Sequence, residues 1–317
     1  MALINNPENL ALNTLVKGVI ETLYTTDQFY TVLPFKGIDG NALQYTRENI
    51  ASEDALVNSV AIGGTIPATQ AEYTSHTATL TTLAGDAIVN GLTMATQSSW
   101  NNQMAVQVAA KTKIIGRKYQ NLMVNGAGAG ADFKGLKQFV IENTTGTMNI
   151  RGANPNTDDV TTGNVIISFD MLDQLIDGVT DKGGAVDYLM MNSADLRAVN
   201  ALLRGAGGAG LNETRNLPNG QAIHTYRGVP MFRNDFMVND FDDGHLDGAN
   251  NGLIYAGVVD DGSMTMGISG LTASKDAGVA IEKVGTSETR DEKITRVKWY
   301  TGFALFSERG LRYAVHN

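Results

Sequence analysis

The chain opens with apolar residues spaced as on one face of a helix. Between residues 9 and 33, six aliphatic side chains recur at helical spacing: Leu12, Leu15, Val16, Val19, Ile20 and Leu23. This pattern predicts a helical N-terminal arm, because residues three and four apart share one face of an α-helix. Pro34 ends the pattern, since proline lacks the backbone donor that a helix needs.

A second helical pattern, over residues 95–125, is the longest in the sequence. Its apolar residues recur at spacings of three, four and seven: Trp100, Met104, Val108, Ile115, Tyr119 and Leu122. Gly126 follows as a stop signal. About 30 residues at 1.5 Å each would form a rod of roughly 45 Å, so we expect this helix to be the spine of the fold.

The segment between the two helical patterns is polar and carries Asp-Gly-Asn and Gly-Gly turn signals. A structureless loop of this length is uncommon in a compact domain. We therefore predict a projecting β-hairpin with strands at residues 41–47 and 55–62, after which residues 66–78 return to the body. Residues 77–93 alternate well enough to predict a strand.

Beyond Gly135 the pattern becomes a mixture of helices and strands. Ser168 is the predicted N-cap of a helix over residues 169–179, with Asp170 and Asp173 favourably placed in its first turn.

Residues 186–191 predict a buried strand. Asn192 then caps a second helix, which Gly205 ends, and residues 205–220 are predicted to form a loop.

The remainder is rich in predicted strands, which are separated by Gly, Asp and Asn turns. They are expected at residues 222–226, 229–232, 252–258, 264–268, 279–284, 294–300, 303–307 and 311–315. The fold class is therefore predicted to be α+β.

Composition adds two constraints. The chain has no cysteine, which excludes thiol nucleophiles, disulfides and cysteine-ligated metal sites. Its start has neither the basic residues nor the apolar run of a secretory signal, and no apolar run approaches the roughly 20 residues of a membrane span. We therefore expect a protein made in the cytoplasm, without a membrane partner.

Charge changes the picture further. Charged residues make up only 18% of the chain. Either much of the surface is hidden in contacts between subunits, or it is polar but uncharged. The net charge of -9 argues against a dedicated nucleic-acid binder, and the sequence shows no basic stripe.

Two glycine clusters could be mistaken for phosphate-binding loops. The first comprises Gly126, Gly128 and Gly130, and the second comprises Gly205, Gly207, Gly208 and Gly210. Both follow a predicted helix, whereas a dinucleotide fingerprint follows a strand and opens a helix. We interpret both as connectors.

An acidic run is the strongest candidate for a cation site. It contains Asp240, Asp242, Asp243, His245 and Asp247. Oxygen ligands of this kind suit calcium. However, the position twelve along from Asp240 is Asn251, where a calcium-binding loop carries Glu. An exposed turn is the preferred interpretation.

The four histidines do not form a sequence motif. They are His76, His224, His245 and His316, and no serine lies in a nucleophile-elbow pattern. We interpret them as surface or strand residues. No catalytic, cofactor-binding or metal-binding residue is nominated, and the protein is predicted not to be an enzyme.

Several stretches resemble one protein family. The arm-to-hairpin junction VIETLYTTDQFYTVLPF followed by GNALQYTRE, and the later segment YRGVPMFRND, are similar to the major capsid proteins of tailed bacteriophages with the Hong Kong 97-like fold. The order of arm, hairpin (from LPFKGIDGNALQYTRE), spine helix, α/β lobe and closing strands also matches over essentially the whole chain.

The resemblance implies a division into four parts. These are an N-arm (1–36), an extended loop (37–75), a peripheral domain with the spine helix (76–140 and 285–317) and an axial α/β domain (141–284). It also implies that the subunit self-assembles into pentamers and hexamers of an icosahedral virion shell around double-stranded DNA. Assembly would take place in the bacterial host cytoplasm, with a separate scaffolding protein, a portal, possible cement proteins and weak, non-specific DNA contact as partners.

Two departures from the family pattern carry expectations. No lysine lies between Lys36 and Lys111, so the shell is predicted to lack the isopeptide bond that some relatives form from a lysine in the extended loop. The chain also enters its arm within about ten residues of Met1, which favours a separately encoded scaffold or little for a prohead protease to remove. Two rival functions remain, an encapsulin-type nanocompartment shell and an α/β enzyme.

Overall fold

The computed structural model describes residues 28–48, 60, 62–64, 73–97, 103–142, 149–151, 167–181, 183–205, 213–217, 220, 222–237 and 252–316. Within these residues the strands are β1 Phe35–Ile38, β2 Ala42–Glu48, β3 Tyr73–Thr79, β4 Thr81–Asn90, β5 Asn149–Arg151, β6 Tyr188–Met191, β7 Glu213–Asn216, β8 Ala222–Tyr226, β9 Val229–Arg233, β10 Gly252–Gly257, β11 Ile268–Ala273, β12 Val279–Thr286, β13 Glu292–Leu305 and β14 Leu311–His316. The α-helices are α1 Gly91–Gln97, α2 Gln103–Asn125, α3 Leu136–Glu142, α4 Phe169–Thr180 and α5 Ser193–Gly205. Short 3-10 helices lie at Gln28–Thr31 and Glu308–Gly310.

A five-stranded sheet is built around β13, which pairs antiparallel with β4, β11 and β12, while β1 adds to β11 in parallel. Residues of β4 alternate between buried and exposed, so that Leu83, Ala87 and Val89 are buried while Ile88 is exposed. The buried face packs against α2, and the alternation is what a half-covered strand requires.

The second large sheet has seven strands in the order β5-β14-β10-β6-β9-β8-β7. The central strands β6 and β10 are buried at every position. Leu189 and Met191 pack with the apolar faces of α4 and α5, whereas Tyr188 and Met190 belong to the core that α2 shares. The sheet therefore has both faces covered, which explains why β6 reads as a continuous apolar run.

The helices largely confirm the sequence predictions. Ser168 caps α4 by accepting a hydrogen bond from the Met171 amide at 3.2 Å, and Asn192 Oδ1 accepts from the amides of Ala194 and Asp195. The spine helix α2 ends at Asn125, as predicted, but its described part begins only at Gln103.

The start of the predicted spine is different. Residues 98–102, including Trp100, lie outside the described residues, and α1 precedes them. The strand predicted at 77–93 ends earlier, at Asn90, because Asn90 Oδ1 accepts from the Leu92 amide at 2.9 Å and starts a helix.

The extended loop begins with a two-stranded hairpin, although its predicted pairing is wrong. The predicted strand at 41–47 is β2, but its partner in the described residues is β3, with Ala42 opposite Thr79 and Glu48 opposite Tyr73. The expected partner, 55–62, lies outside the described residues except at positions 60 and 62. The described part of segment 66–78, which was predicted only to return to the body, belongs to the second strand, Tyr73–Thr79.

Three further strand predictions need correction. The two strands predicted at 294–300 and 303–307 are one strand, β13. The strand predicted at 264–268 begins only at Ile268, because Met264 (φ 59) and Gly267 (φ 94) have a left-handed backbone that no strand accommodates. The loop predicted at 205–220 contains β7, which pairs with β8.

The helical arm predicted over residues 9–33 is described only at its end. Residues 9–27 lie outside the described residues, and Gln28–Thr31 form a 3-10 helix.

Candidate functional site

The sequence-predicted chemical candidates do not come together as a site. The acidic run 240–247, with His245, lies outside the described residues. Gly128 and Gly130 have positive φ angles in the connector after α2, where glycine is needed. In the part of the chain that the structure describes, no group of three or more His, Asp and Glu side chains is placed to hold a metal ion.

The described histidines lie on three different strands. His224 is exposed on β8 and His76 is half-buried on β3. His316 is buried on β14, where its Nε2 lies 3.1 Å from Asp195 Oδ2 at the start of α5. This pair joins β14 to the start of α5.

The end of the N-arm is anchored in the core. Phe29 is 1% exposed and packs edge-on against Tyr188 at 5.0 Å and Phe232 at 5.2 Å, measured between ring centroids. The Tyr30 hydroxyl donates to the Gly116 carbonyl of α2 at 2.7 Å. Adjacent side chains thus contact the seven-stranded sheet and the spine helix, so the 3-10 helix at Gln28–Thr31 is fixed to the core.

The described strands of the hairpin, β2 and β3, are called its root here. A buried arginine anchors this root to the body. Arg47, on β2, is 8% exposed, and its guanidinium donates to the Leu305 carbonyl at the end of β13. Its second terminal nitrogen lies 3.6 Å from Glu308 Oε1. A guanidinium carries five donors and suits such a multi-partner position, where a lysine ammonium would supply a single point charge.

Aromatic rings surround the same guanidinium. Its carbon lies 5.5 Å from the Tyr45 ring centroid and 5.8 Å from that of Phe139 on α3. Arg47 thereby connects the hairpin to β13, to α3 and to the 3-10 helix at Glu308–Gly310. The sequence offered one signal for this anchor: Arg47 is in phase with Leu43 and Tyr45, so it lies on the inward face of a strand, where a charge needs partners.

Titratable groups around Arg47 respond to its charge. His76, opposite Tyr45 in the ladder, stacks on that ring at 6.0 Å, and its pKa is lowered by burial and then by the positive charges of Arg47 and Lys134. The pKa of Tyr45 is raised, chiefly by burial. The root of the hairpin is therefore an electrostatically positive position that disfavours a protonated imidazole.

Across the five-stranded sheet from α2, the outer face is bridged by ion pairs. Arg296 on β13 donates to both carboxylate oxygens of Asp86 on β4, at 2.8 and 3.1 Å. Lys298 lies 3.0 Å from Glu282 on β12. The hydrogen bonds from Arg296 lower the pKa of the Asp86 carboxyl. These pairs tie the three strands together across the face opposite the spine helix.

Several large apolar side chains remain exposed beside this face and on the helices. They are Ile88, Leu92, Val106, Ile114 and Val284, with exposed fractions between 45% and 69%. Single exposed apolar residues are common on protein surfaces, so these five do not identify an interface by themselves. No helix among the described residues is both long and apolar enough to span a membrane.

Comparison with known proteins identifies one matching family. The profile described as "SU10 major capsid protein" matches residues 8–240 of this chain. A search of curated proteins by sequence found no match.

Solved structures show the same fold at low sequence identity. The SrpI encapsulin of Synechococcus elongatus superposes with a TM-score of 0.64 and 14% identity, over 90% of this chain and 86% of that one. The capsid of a native GTA particle matches with a TM-score of 0.55 and 12% identity, over 92% and 90%. A chain from Microbacterium phage Oxtober96 matches with a TM-score of 0.53 and 15% identity, over 91% and 90%.

Proposed function

Because this chain belongs to the SU10 major capsid protein family, we propose that its subunits form the pentamers and hexamers of an icosahedral phage head that encloses double-stranded DNA. It is a capsid protein with the Hong Kong 97-like fold, as the sequence resemblance predicted, and it assembles into a multimeric shell. The virion is therefore its place of action. The family match carries the proposal, since a shared fold alone does not identify function.

The division into N-arm (1–36), extended loop (37–75), peripheral domain and axial domain is part of this proposal. Strand pairing supports two adjustments to its boundaries. Residues 268–286 pair with β13 and go with the peripheral sheet, whereas residues 311–316 pair with β10 and go with the axial sheet.

The hairpin and the N-arm are proposed to reach over neighbouring subunits. A two-stranded hairpin is at best marginally stable by itself in water. Here its root is fixed to the body by Arg47, and Tyr73 on β3 remains 64% exposed. A neighbouring subunit could cover such side chains and pair the open strand edges, which are otherwise a liability.

The encapsulin alternative shares the fold, and SrpI superposes with a TM-score of 0.64. At 14% identity this similarity concerns the backbone and gives no support for enzyme cargo. The family match separates the two functions and favours the phage head.

The remaining partners follow from head assembly. We propose a separately encoded scaffolding protein, a portal at one vertex, possible cement proteins outside, and weak contact with the packaged DNA. Assembly would take place in the host cytoplasm. The subunit acts through its interfaces, and no catalytic role is proposed.

Expression of the chain together with its neighbouring genes tests the proposal. Electron microscopy should show closed icosahedral particles, and nuclease treatment of lysates from a full phage infection should leave DNA protected inside them. A subunit that stays dispersed under these conditions contradicts shell assembly. Closed particles that enclose an enzyme and no DNA would favour the encapsulin function.

A further inference from the structure

The charges of the spine helix α2 differ in sign from those of the whole chain. The chain has 33 acidic and 24 basic residues, and its net charge is -9. Within Gln103–Asn125, however, the charged residues are Lys111, Lys113, Arg117 and Lys118, and none is acidic. The longest helix among the described residues of this acidic protein therefore carries only basic charged residues.

Three of these cations lie together on the exposed side of α2. Lys113, Arg117 and Lys118 are exposed, while the neighbouring Ile115 and Tyr119 are buried in the core. Five residues separate the first from the last, which is about 7.5 Å along the helix axis. We call Lys113, Arg117 and Lys118 the basic face of α2. It is the basic stripe that the sequence pattern did not show.

The described part of the chain does not neutralise the basic face. None of its three side chains forms an ion pair with a described carboxylate. The closest acidic influence is Asp235, whose carboxylate is already bound by Arg233 at 2.7 Å, while the Arg117 guanidinium lies 5.8 Å from the Phe236 ring centroid. The fourth cation is different, because the stem of Lys111 runs beside Gly85 and its charge acts on Asp86.

This arrangement works against helix stability. Lys113 and Arg117 are four residues apart, and like charges at that spacing repel each other on a helix surface. Surface helices usually carry alternating signs, which stabilise them. A like-charged face is relieved when an anion binds to it.

We propose that the basic face of α2 binds the phosphate backbone of packaged duplex DNA. The inference rests on the proposed function as a DNA-enclosing head, and it locates the DNA contact on the subunit. Duplex DNA presents a negative charge about every 1.7 Å of its axis, so three cations spread over about 7.5 Å of helix length can each meet a phosphate. The contact carries no base-reading geometry and is independent of sequence.

The acidic remainder of the chain keeps each contact weak. Net negative charge repels DNA at long range, whereas the basic face attracts it only within about a Debye length. Every subunit of a shell presents the same face, so many weak contacts act together on one polymer.

Salt-dependent binding tests the proposal directly. The full-length unassembled subunit would be titrated with a fluorescent duplex of about 30 base pairs at several salt concentrations. Replacing Lys113, Arg117 and Lys118 by Gln should weaken binding and reduce the slope of log K against log salt by about 2 to 3, at roughly 0.9 for each lost phosphate contact. An unchanged slope overturns the proposal.

A matched control separates the basic face from net charge. Lys275, Arg290 and Lys293 are also exposed and lie outside α2, so replacing them by Gln removes the same number of charges, from two lysines and one arginine. This control should keep the wild-type slope within about 1 unit. If it lowers the slope as much as the first variant, the effect is one of overall charge and the proposal is wrong.

An acidic polypeptide is the alternative ligand that the experiment must distinguish from duplex DNA. Val106 and Ile114 also lie on the exposed side of α2 and would support an acidic, partly apolar peptide. Replacing both by Gln should leave duplex binding unchanged. A loss of binding to poly-glutamate in the first variant with duplex binding retained would overturn the proposal in favour of a polypeptide partner.

Assembled particles distinguish failure of this inference from failure of the proposed function. If shells do not form, the proposed function fails whatever the subunit binds. If they form, a small amine-reactive reagent should modify Lys113 and Lys118 in empty shells and much less in DNA-filled ones. Equal protection in both would mean that a neighbouring subunit covers the basic face, which overturns the inference alone.

Discussion

Arg47 and Leu305 are 258 positions apart in the chain, yet the guanidinium of the first donates a hydrogen bond to the carbonyl of the second. This contact joins the root of the hairpin to the last residue of β13, the strand around which the five-stranded sheet is built. The direction in which the hairpin leaves the body is therefore set by tertiary contacts as well as by the local chain. The proposed reach of the hairpin over a neighbouring subunit would need such a fixed root, because preorganised contacts lose less entropy on association.

Arg47→Met should destabilise the unassembled subunit by about 1–3 kcal/mol. The substitution keeps an apolar stem between Tyr45 and Phe139 but leaves the Leu305 carbonyl without its donor and Glu308 without its cation. Urea unfolding of the subunit would measure the loss, and electron microscopy would count closed particles, which we expect to decline.

The control for this prediction is Arg296→Met. Arg296 makes two hydrogen bonds to Asp86, yet both side chains are substantially exposed, and solvent-exposed pairs contribute little. Its loss should be clearly smaller than that of Arg47→Met. Equal losses of unfolding free energy in the two variants would show that burial does not increase the contribution of Arg47 to stability.

The sequence predicted the elements whose signals are local. Ser168 and Asn192 are caps that act within three residues of themselves, and the sequence predicts both correctly. The Hong Kong 97-like fold followed from the order of such elements and from family resemblance. Partners distant in the chain were not predicted, because Arg47 carries no mark of Leu305 in its own neighbourhood.

Glycine 302 shows why the same pattern can be misread. The strands predicted at 294–300 and 303–307 are separated by Thr301 and Gly302, although an isolated glycine inside a strand pattern can also mark a close backbone approach. In the structure the glycine lies in mid-strand, where a Cβ would stand 2.6 Å from the Thr79 carbonyl oxygen. The residue is required by the close approach of another backbone, and that approach is a tertiary fact.

Gly302→Ala should therefore destabilise the subunit by about 1–3 kcal/mol, since the added methyl forces β3 and β13 apart. Thermal and urea unfolding would measure the change. Gly205→Ala is the matched control: it ends α5, has no atom within 4 Å of the added carbon and has no positive φ. Its stability should stay within about 0.5 kcal/mol of wild type or rise. A neutral Gly302→Ala would contradict the close approach.

The stability of the subunit should depend on pH through His76. Burial and the charges of Arg47 and Lys134 lower its pKa in the folded state below the usual 6.5. The unfolded chain then binds more protons than the folded one as pH falls through 6.5, so this contribution to stability is complete above that pH and is lost below it. His76→Gln should flatten the pH profile of urea unfolding in this window.

The control for that experiment compares Arg47→Met with the double variant that carries both Arg47→Met and His76→Gln. Removing the Arg47 charge removes one cause of the lowered pKa, so the contribution of His76 to the pH profile should shrink in Arg47→Met. Parallel profiles for wild type and His76→Gln would show that His76 does not carry the effect.

The absence of lysine between Lys36 and Lys111 predicts a shell without covalent links from its extended loop. An isopeptide bond needs an amine nucleophile, and the segment 37–75 contains no lysine, so we expect mature heads to be held by non-covalent contacts. Boiled, reduced particles should therefore run as monomer of 33.8 kDa on a denaturing gel. Tyr73→Lys serves as the control, because Tyr73 is 64% exposed on the hairpin. This variant tests whether a lysine amine in the loop is sufficient for covalent links to form. A ladder of covalent oligomers from the unmodified shell would contradict the prediction, because a lysine outside the loop would then have to supply the bond.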